Sequence, residues 1–240
     1  MEKNIIPNIV FVYWGQGFNE APPLVTSCIR SLEQQNPKAN IVKLDDSSVS
    51  RYVDIPEYIL QKKETGIISF AQFSDILRIN LLYRYGGIWS DATCLHTQAL
   101  EPYISAYAKN GFFAFKDRNT IASWFMASSP QNSLVAAVRQ PLHLYWNDFS
   151  YLENYFILHM MFRALSQVDS GLKQELSRMP VVCRDIPHVL QRRMYNAVSD
   201  DKMQQIISDS FIHKLTYKYK RELITPDCLL AKLFPDVFAE

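Results

Sequence analysis

The sequence has few cysteines, no excess of either charge and no long apolar run. Its 25 Lys and Arg residues nearly balance 24 Asp and Glu residues, so no overall positive field would attract nucleic acid. The four cysteines form no C-x-x-C pair, which argues against a zinc site and favours a reduced, cytoplasmic protein. No apolar stretch approaches the ~20 residues that span a bilayer, and residues 1–7 lack the pattern of a secretory signal.

The order of predicted elements indicates an α/β fold in one domain. Residues 8–14 predict a buried strand, residues 24–34 a helix and residues 40–44 a second strand, which is how an α/β sheet begins. Further strands are predicted at 111–115 and 123–127, helices at 133–145, 151–166, 171–178 and 200–208, and an extended segment at 211–217.

A long apolar helix is predicted over residues 69–85. Ser69 is placed to cap it, and the Gly-Gly pair at 86–87 ends it. Asp75 and Arg78 lie three residues apart and therefore share one face of this helix. Because the helix is apolar on nearly every side, both charges need partners. They form either an internal salt bridge that orients the helix or a pair of ligand contacts.

An acidic residue, Asp91, directly follows a predicted strand over residues 88–90. Ligands of open α/β sheets bind at the carboxyl ends of strands, so this position favours a functional role. The run from residue 73 to 94 contains Ser-Asp-x-x-Arg, Gly-Gly, an aromatic residue and Asp. It resembles the signature of GT-A glycosyltransferases, a group that includes yeast outer-chain α-mannosyltransferases, glucosylating bacterial toxins and, most similar of all, bacterial capsular polysaccharide synthesis proteins.

The resemblance implies a fold and a division of the chain. The expected fold is a single GT-A domain over residues 1–240, Rossmann-like, with a mixed central sheet and helical additions. Residues 1–130 would bind the nucleotide sugar. Residues 131–240 would supply acceptor-side helices and a C-terminal segment that closes over the donor.

The same resemblance assigns residues to the donor. It implies that Asp75 and Arg78 contact the donor sugar and that Asp91 lies between ribose, sugar and metal. An aromatic residue after the first strand would face the base, with Trp14 the first candidate and Tyr13 the second. The adjacent Gly15 belongs to the same loop.

The chain departs from the family pattern at the metal. The usual Asp-x-Asp is here Asp91-Ala92-Thr93, and a threonine hydroxyl is a weaker ligand for Mn²⁺ or Mg²⁺ than a carboxylate. His213 is a candidate replacement ligand, and Lys214 and Lys218 are candidates for neutralising the diphosphate. The alternative for this late basic segment is a solvated edge strand.

The expected function is retaining transfer of a hexose, galactose or glucose, from a UDP-sugar to a lipid-linked oligosaccharide in capsular or surface polysaccharide synthesis. His159 either contacts a sugar or is a paired core histidine. Basic residues near 214–221 would favour peripheral contact with the inner membrane surface.

A catalytically weak sugar-nucleotide or glycan binding scaffold is the alternative function, and Thr93 favours it. A dinucleotide-dependent oxidoreductase is disfavoured because the loop at 15–17 lacks a third glycine.

Overall fold

The structure, a computed structural model, describes residues 4–117 and 121–238. A five-stranded sheet has the order β2-β1-β3-β6-β5, and β4 and β7 form a separate antiparallel pair. The strands are β1 (Ile9–Tyr13), β2 (Asn40–Leu44), β3 (Gly87–Ser90), β4 (Cys94–His96), β5 (Phe112–Lys116), β6 (Ile121–Ser128) and β7 (Ile212–Lys214).

The direction of the strands explains where a ligand can bind. β1 runs parallel to both β2 and β3, whereas β6 runs antiparallel to β3 and to β5. The chain passes from β1 to β2 on one side and then returns to β3 on the other side of β1. The carboxyl ends of β1 and β3 therefore meet at a switch point, the usual ligand position in such sheets.

Helices cover the sheet and fill the second half of the chain. They are α1 (Pro23–Gln35), α2 (Glu57–Glu64), α3 (Phe70–Tyr85), α4 (Glu101–Tyr107), α5 (Ser133–Asp148), α6 (Ile157–Val168), α7 (Ser170–Arg178), α8 (Val189–Arg192), α9 (Asp200–Ser208), α10 (Leu229–Leu233) and α11 (Pro235–Phe238). Across the two described ranges, no helix combines the length and apolarity needed to cross a bilayer.

Helix α3 forms as its sequence predicts. The Ser69 side chain accepts a hydrogen bond from the Gln72 amide at 3.4 Å, and Gly86 ends the helix with a φ of 66°. Asp75 and Arg78 are buried inside it, with 8% and 3% of their surfaces exposed. The helix thus carries two charges into the interior behind β3.

Two apolar clusters join early and late parts of the chain. The larger contains strand residues and α3 together with Leu142 and Trp146 of α5 and Leu158 of α6. The smaller packs Leu24 and Cys28 of α1 against the C-terminal segment. The C-terminal segment is therefore held against the N-terminal half.

Several predicted boundaries differ from the structure. The helix predicted from residue 151 begins at Ile157, because the Tyr145 hydroxyl bonds to the backbone of Tyr151 and Glu153 and holds that segment in a non-helical path. The extended segment predicted at 211–217 is a strand only over Ile212–Lys214. Elements β4, α2 and α4 were not predicted, since each is short and its pattern is weak.

Gly87 provides a test of the turn that precedes β3. Its φ is +89°, and a Cβ placed there would lie 2.6 Å from the Ile9 carbonyl oxygen, whereas Gly66 has a φ of +77° with nothing within 4 Å. We expect Gly66→Ala to cost roughly 1–2 kcal/mol of unfolding free energy from backbone strain. Gly87→Ala should cost roughly 1–3 kcal/mol more of unfolding free energy, because its Cβ would clash with the backbone of β1, which is held in the sheet. Urea denaturation measures both, and equal losses would contradict the close packing of β1 on this turn.

Candidate active site

Two cavities meet at the carboxyl ends of β1 and β3. The smaller, about 190 Å³, is lined mainly by aromatic residues and by the Asp91-Ala92-Thr93 triplet. The larger, about 710 Å³, extends towards α6 and the segment before α8. The residues that line both are Ala71, Ser74, Asp91 and Lys214.

Asp91 occupies the junction of the two cavities. Its Oδ1 accepts hydrogen bonds from Arg78 Nη2 at 3.1 Å and from Trp89 Nε1 at 2.9 Å. Its Oδ2 lies 3.2 Å from Lys214 Nζ. Burial raises the pKa of Asp91, but the combined effects of Lys214, Arg78 and the Trp89 hydrogen bond outweigh burial, so the net pKa is below its usual value. The carboxylate is therefore ionised at neutral pH with both oxygens engaged.

Arg78 bridges two carboxylates. Its Nη1 lies 2.7 Å from Asp75 Oδ1 while its Nη2 reaches Asp91, and its guanidinium lies 5.0 Å from the centre of the Trp89 ring. Among the described residues, Arg78 Nε has no hydrogen-bond partner. The predicted salt bridge with Asp75 therefore exists, and the same pair also lines the larger cavity. The two interpretations of this pair are compatible.

Asp75 has an unusual titration. Burial raises its pKa to about 6, against the opposing effect of Arg78. A carboxyl group with this pKa changes charge near the physiological pH range. Shifted pKa values of this kind are common at functional sites.

Lys214 reaches the site because β7 pairs with β4. Cys94 is the register partner of Lys214, and the Leu215 amide donates to the Thr93 carbonyl at 2.9 Å. The Lys214 ammonium donates to the Thr93 hydroxyl and contacts Asp91. Burial is the largest effect and lowers the pKa of Lys214, but the effects of Asp91 and Cys94 together outweigh it, so the net pKa lies above its usual value. The side chain is therefore a fixed cation.

The structure does not bring His213 together with Asp91 and Thr93. Adjacent residues of a strand point to opposite faces, so His213 turns away when Lys214 faces the cavities. The His213 ring is fully buried, its Nε2 lies 3.1 Å from the Ile207 carbonyl oxygen, and burial lowers its pKa. Within the described ranges, no group of three or more His, Cys, Asp or Glu side chains is placed to hold a metal ion. The predicted ligand set of Asp91, Thr93 and His213 is thus not assembled.

Aromatic residues form the smaller cavity. The Trp14 ring meets Tyr217 edge to face, with 5.0 Å between ring centres. Tyr13 is buried and its hydroxyl donates to the Asp46 carboxylate, so it serves as a wall. A Cβ at Gly15 would lie 2.3 Å from the Phe70 ring, so the glycine permits this close approach. Trp14, the first candidate, is the more available of the two predicted rings.

The remaining predicted residues divide between the cavities and the surface. His159 lines the larger cavity, where burial and then Arg78 lower its pKa to about 4, so its imidazole is neutral. Lys218 is exposed, with its ammonium 5.8 Å from the centre of the Tyr217 ring, and it is not among the residues that line either cavity.

Sequence reasoning missed several residues of the site. Trp89, which bonds Asp91, is the aromatic position of the quoted motif and could have been found there. Ser123 on β6 bonds Asp75, and Tyr155 and Phe156 line the larger cavity. These three lie far from the motif, and only the packing of β6 and α6 brings them to it.

The chain is similar to known proteins in sequence and in fold. The sequence profile described as capsular polysaccharide synthesis protein matches residues 1–233. No curated protein gives a significant match. The structure is similar to one titled PaToxG Glycosyltransferase, with a TM-score of 0.52 and 14% sequence identity, covering 86% of this chain and 84% of that chain. The predicted fold class is confirmed, and the predicted enzyme class, a glycosyltransferase, is supported. The chain belongs to the family of capsular polysaccharide synthesis proteins.

Proposed function

We propose that this protein is a retaining glycosyltransferase that moves a hexose from a UDP-sugar to a lipid-linked oligosaccharide. The observation that carries the proposal is the cluster of Arg78, Asp91 and Lys214 at the junction of the two cavities. A nucleotide sugar consists of a base with its ribose, a diphosphate and a sugar in that order. The aromatic cavity, the charged junction and the larger polar cavity follow the same order.

The junction suits the diphosphate. The bond between the anomeric carbon and the diphosphate breaks through an oxocarbenium-like state, so negative charge grows on the leaving oxygen. An ammonium group held at this place stabilises that charge without reorganising. Lys214 faces both cavities and is the residue to which we assign this task.

The larger cavity suits the sugar. The Asp75 carboxylate accepts hydrogen bonds from sugar hydroxyls, while the Arg78 guanidinium donates to them. The assignment of UDP and of galactose or glucose rests on the family resemblance. For retention, the acceptor hydroxyl attacks the face from which the diphosphate departs, and the departing phosphate oxygen takes the hydroxyl proton.

A divalent cation does not fit the residues present. Asp91 uses both oxygens for Arg78, Trp89 and Lys214, and the Thr93 hydroxyl accepts from Lys214. Mg²⁺ and Mn²⁺ prefer oxygen ligands that are free of such partners.

An aromatic rim marks the acceptor side of the larger cavity. Tyr155 and Phe156 are 61% and 55% exposed and meet edge to face, and Phe156 meets His159 in the same way. Exposed aromatic faces bind the C–H-rich faces of sugar rings, so we assign this rim to the acceptor glycan.

A lipid-linked acceptor would place the protein at the cytoplasmic membrane face. Lys218 and Lys220 are exposed and available to an anionic surface. Lys214, which was grouped with them, lies instead at the junction of the cavities. Peripheral membrane contact therefore does not involve Lys214.

Asp91→Asn tests the proposed activity. Loss of this charge leaves Arg78 and Lys214 without their shared partner, and we expect kcat for donor hydrolysis to fall about 100-fold or more. A panel of UDP- and GDP-sugars, assayed for nucleotide release, measures this and identifies the donor. Asp54→Asn is the control, since its side chain is 98% exposed. Wild-type protein that binds a donor but releases no nucleotide would favour the scaffold alternative.

The pH dependence of donor hydrolysis tests Asp75. Because its pKa is about 6, we expect kcat/KM to fall as the pH drops below 6 and the carboxyl group is protonated. Asp75→Asn should be slower and insensitive to pH in that range.

The stability of the fold is the control for this pH profile. In the wild type, the pKa of Asp75 is about 6 in the folded state and 3.8 in the unfolded chain, so proton uptake by Asp75 stabilises the fold as the pH falls from 6 to 3.8. Melting temperatures at each pH show whether acid unfolding accounts for the loss, and an unchanged profile in Asp75→Asn would refute the assignment.

The aromatic rim is tested by truncation. We expect Tyr155→Ala and Phe156→Ala to raise KM for a p-nitrophenyl hexoside acceptor roughly tenfold, the loss of about 1.4 kcal/mol of ring contact. Donor hydrolysis without acceptor should not change. Tyr151→Ala is the matched control, because Tyr151 is 56% exposed and is not among the residues lining the cavity. An equal effect in all three variants would remove the rim from the acceptor site.

A further inference from the structure

We infer that Lys214 takes the place of a divalent cation, so that this chain binds the diphosphate of its donor without metal. The inference rests on the proposed function and specifies how the same site holds a nucleoside diphosphate. Three observations carry it: where the ammonium lies, how the charges of the cluster balance, and how the lysine is fixed.

The ammonium lies between the two oxygens that a cation would use. Lys214 Nζ is 3.2 Å from Asp91 Oδ2 and donates to the Thr93 hydroxyl, so it bridges the first and third residues of the Asp91-Ala92-Thr93 triplet. It also lines both cavities, where a diphosphate that connects base and sugar must pass. An ammonium has three donors, so it can bind a phosphate oxygen as well as these two groups.

The cluster together with Asp75 is already neutral without a metal. Asp75 and Asp91 supply two negative charges, and Arg78 and Lys214 supply two positive charges in direct contact with them. A divalent cation beside Asp91 would stand against the Lys214 ammonium, and like charges at contact distance repel strongly in a partly buried site. Thr93 brings no second carboxylate to offset that repulsion.

The backbone holds Lys214 in this position. Its partner across the β4–β7 ladder is Cys94, the residue after Thr93, and the Leu215 amide binds the Thr93 carbonyl. The side chain is 19% exposed, and the exposed part faces the cavities. A cation could enter only if the lysine left both Asp91 and Thr93.

Calorimetry with UDP and with GDP, using the full chain, tests the inference directly. We expect the Kd for the nucleotide that binds to agree within threefold in EDTA and in Mn²⁺. Lys214→Met should weaken binding at least tenfold in EDTA, whereas Lys214→Arg, which keeps the charge, should retain most of it. Lys202→Met on α9 is the control, because this lysine is exposed and is not among the residues that line either cavity. Circular dichroism checks that each variant is folded.

A restored motif provides a second, opposite result. In Thr93→Asp with Lys214→Ala, two carboxylates face each other without an ammonium between them, and nucleotide binding should then require Mn²⁺. The electron paramagnetic resonance signal of free Mn²⁺ should fall on adding this variant but not on adding wild type. Wild-type binding that disappears in EDTA, or Lys214→Met that binds as tightly as wild type, would overturn the inference while leaving the proposed function intact. Wild type that binds neither nucleotide in either buffer would overturn both.

Discussion

The buried guanidinium of Arg78 is the interaction on which the site depends. It joins Asp75 on its own helix to Asp91 at the end of β3, and its side chain is only 4% exposed. Breaking a buried ion pair by removing one partner leaves an uncompensated charge and costs several kcal/mol. Arg78 therefore couples the orientation of α3 to the position of Asp91, the residue that lines both cavities.

A second constraint comes from the short β4–β7 ladder. It brings the C-terminal segment to the strand that follows Asp91-Ala92-Thr93, and with it the Lys214 ammonium. The smaller apolar cluster, in which α1 packs on late residues, supports the same contact. The proposed donor site is thus completed by residues that lie more than half the chain apart, and one of its two positive charges depends on a contact that forms only in the folded protein.

Under the proposed function, the arrangement of charges would explain how a chain with no large excess of basic residues binds an anionic donor. Arg78 and Lys214 are balanced by Asp75 and Asp91, so the empty site carries no large unpaired charge. In the proposed complex, a diphosphate would meet cations that are already oriented, and the aromatic residues that line the two cavities would contact the base and the sugars. Preorganised charge of this kind favours the leaving group over the intact donor.

The sequence by itself determined the elements that depend on local chemistry. The Ser69 cap, the apolar run of α3, the Gly86-Gly87 turn and the strand before Asp91 follow from propensity and from the backbone freedom of glycine, and the motif they form indicated the family. Only the tertiary structure decided which late residue lines the two cavities. His213 and Lys214 are adjacent, and β4, a strand of three residues too short to predict, sets the register that turns the lysine inward and the histidine away. Side-chain direction alternates along a strand, so that choice belongs to the pairing of distant segments and not to either residue's own sequence.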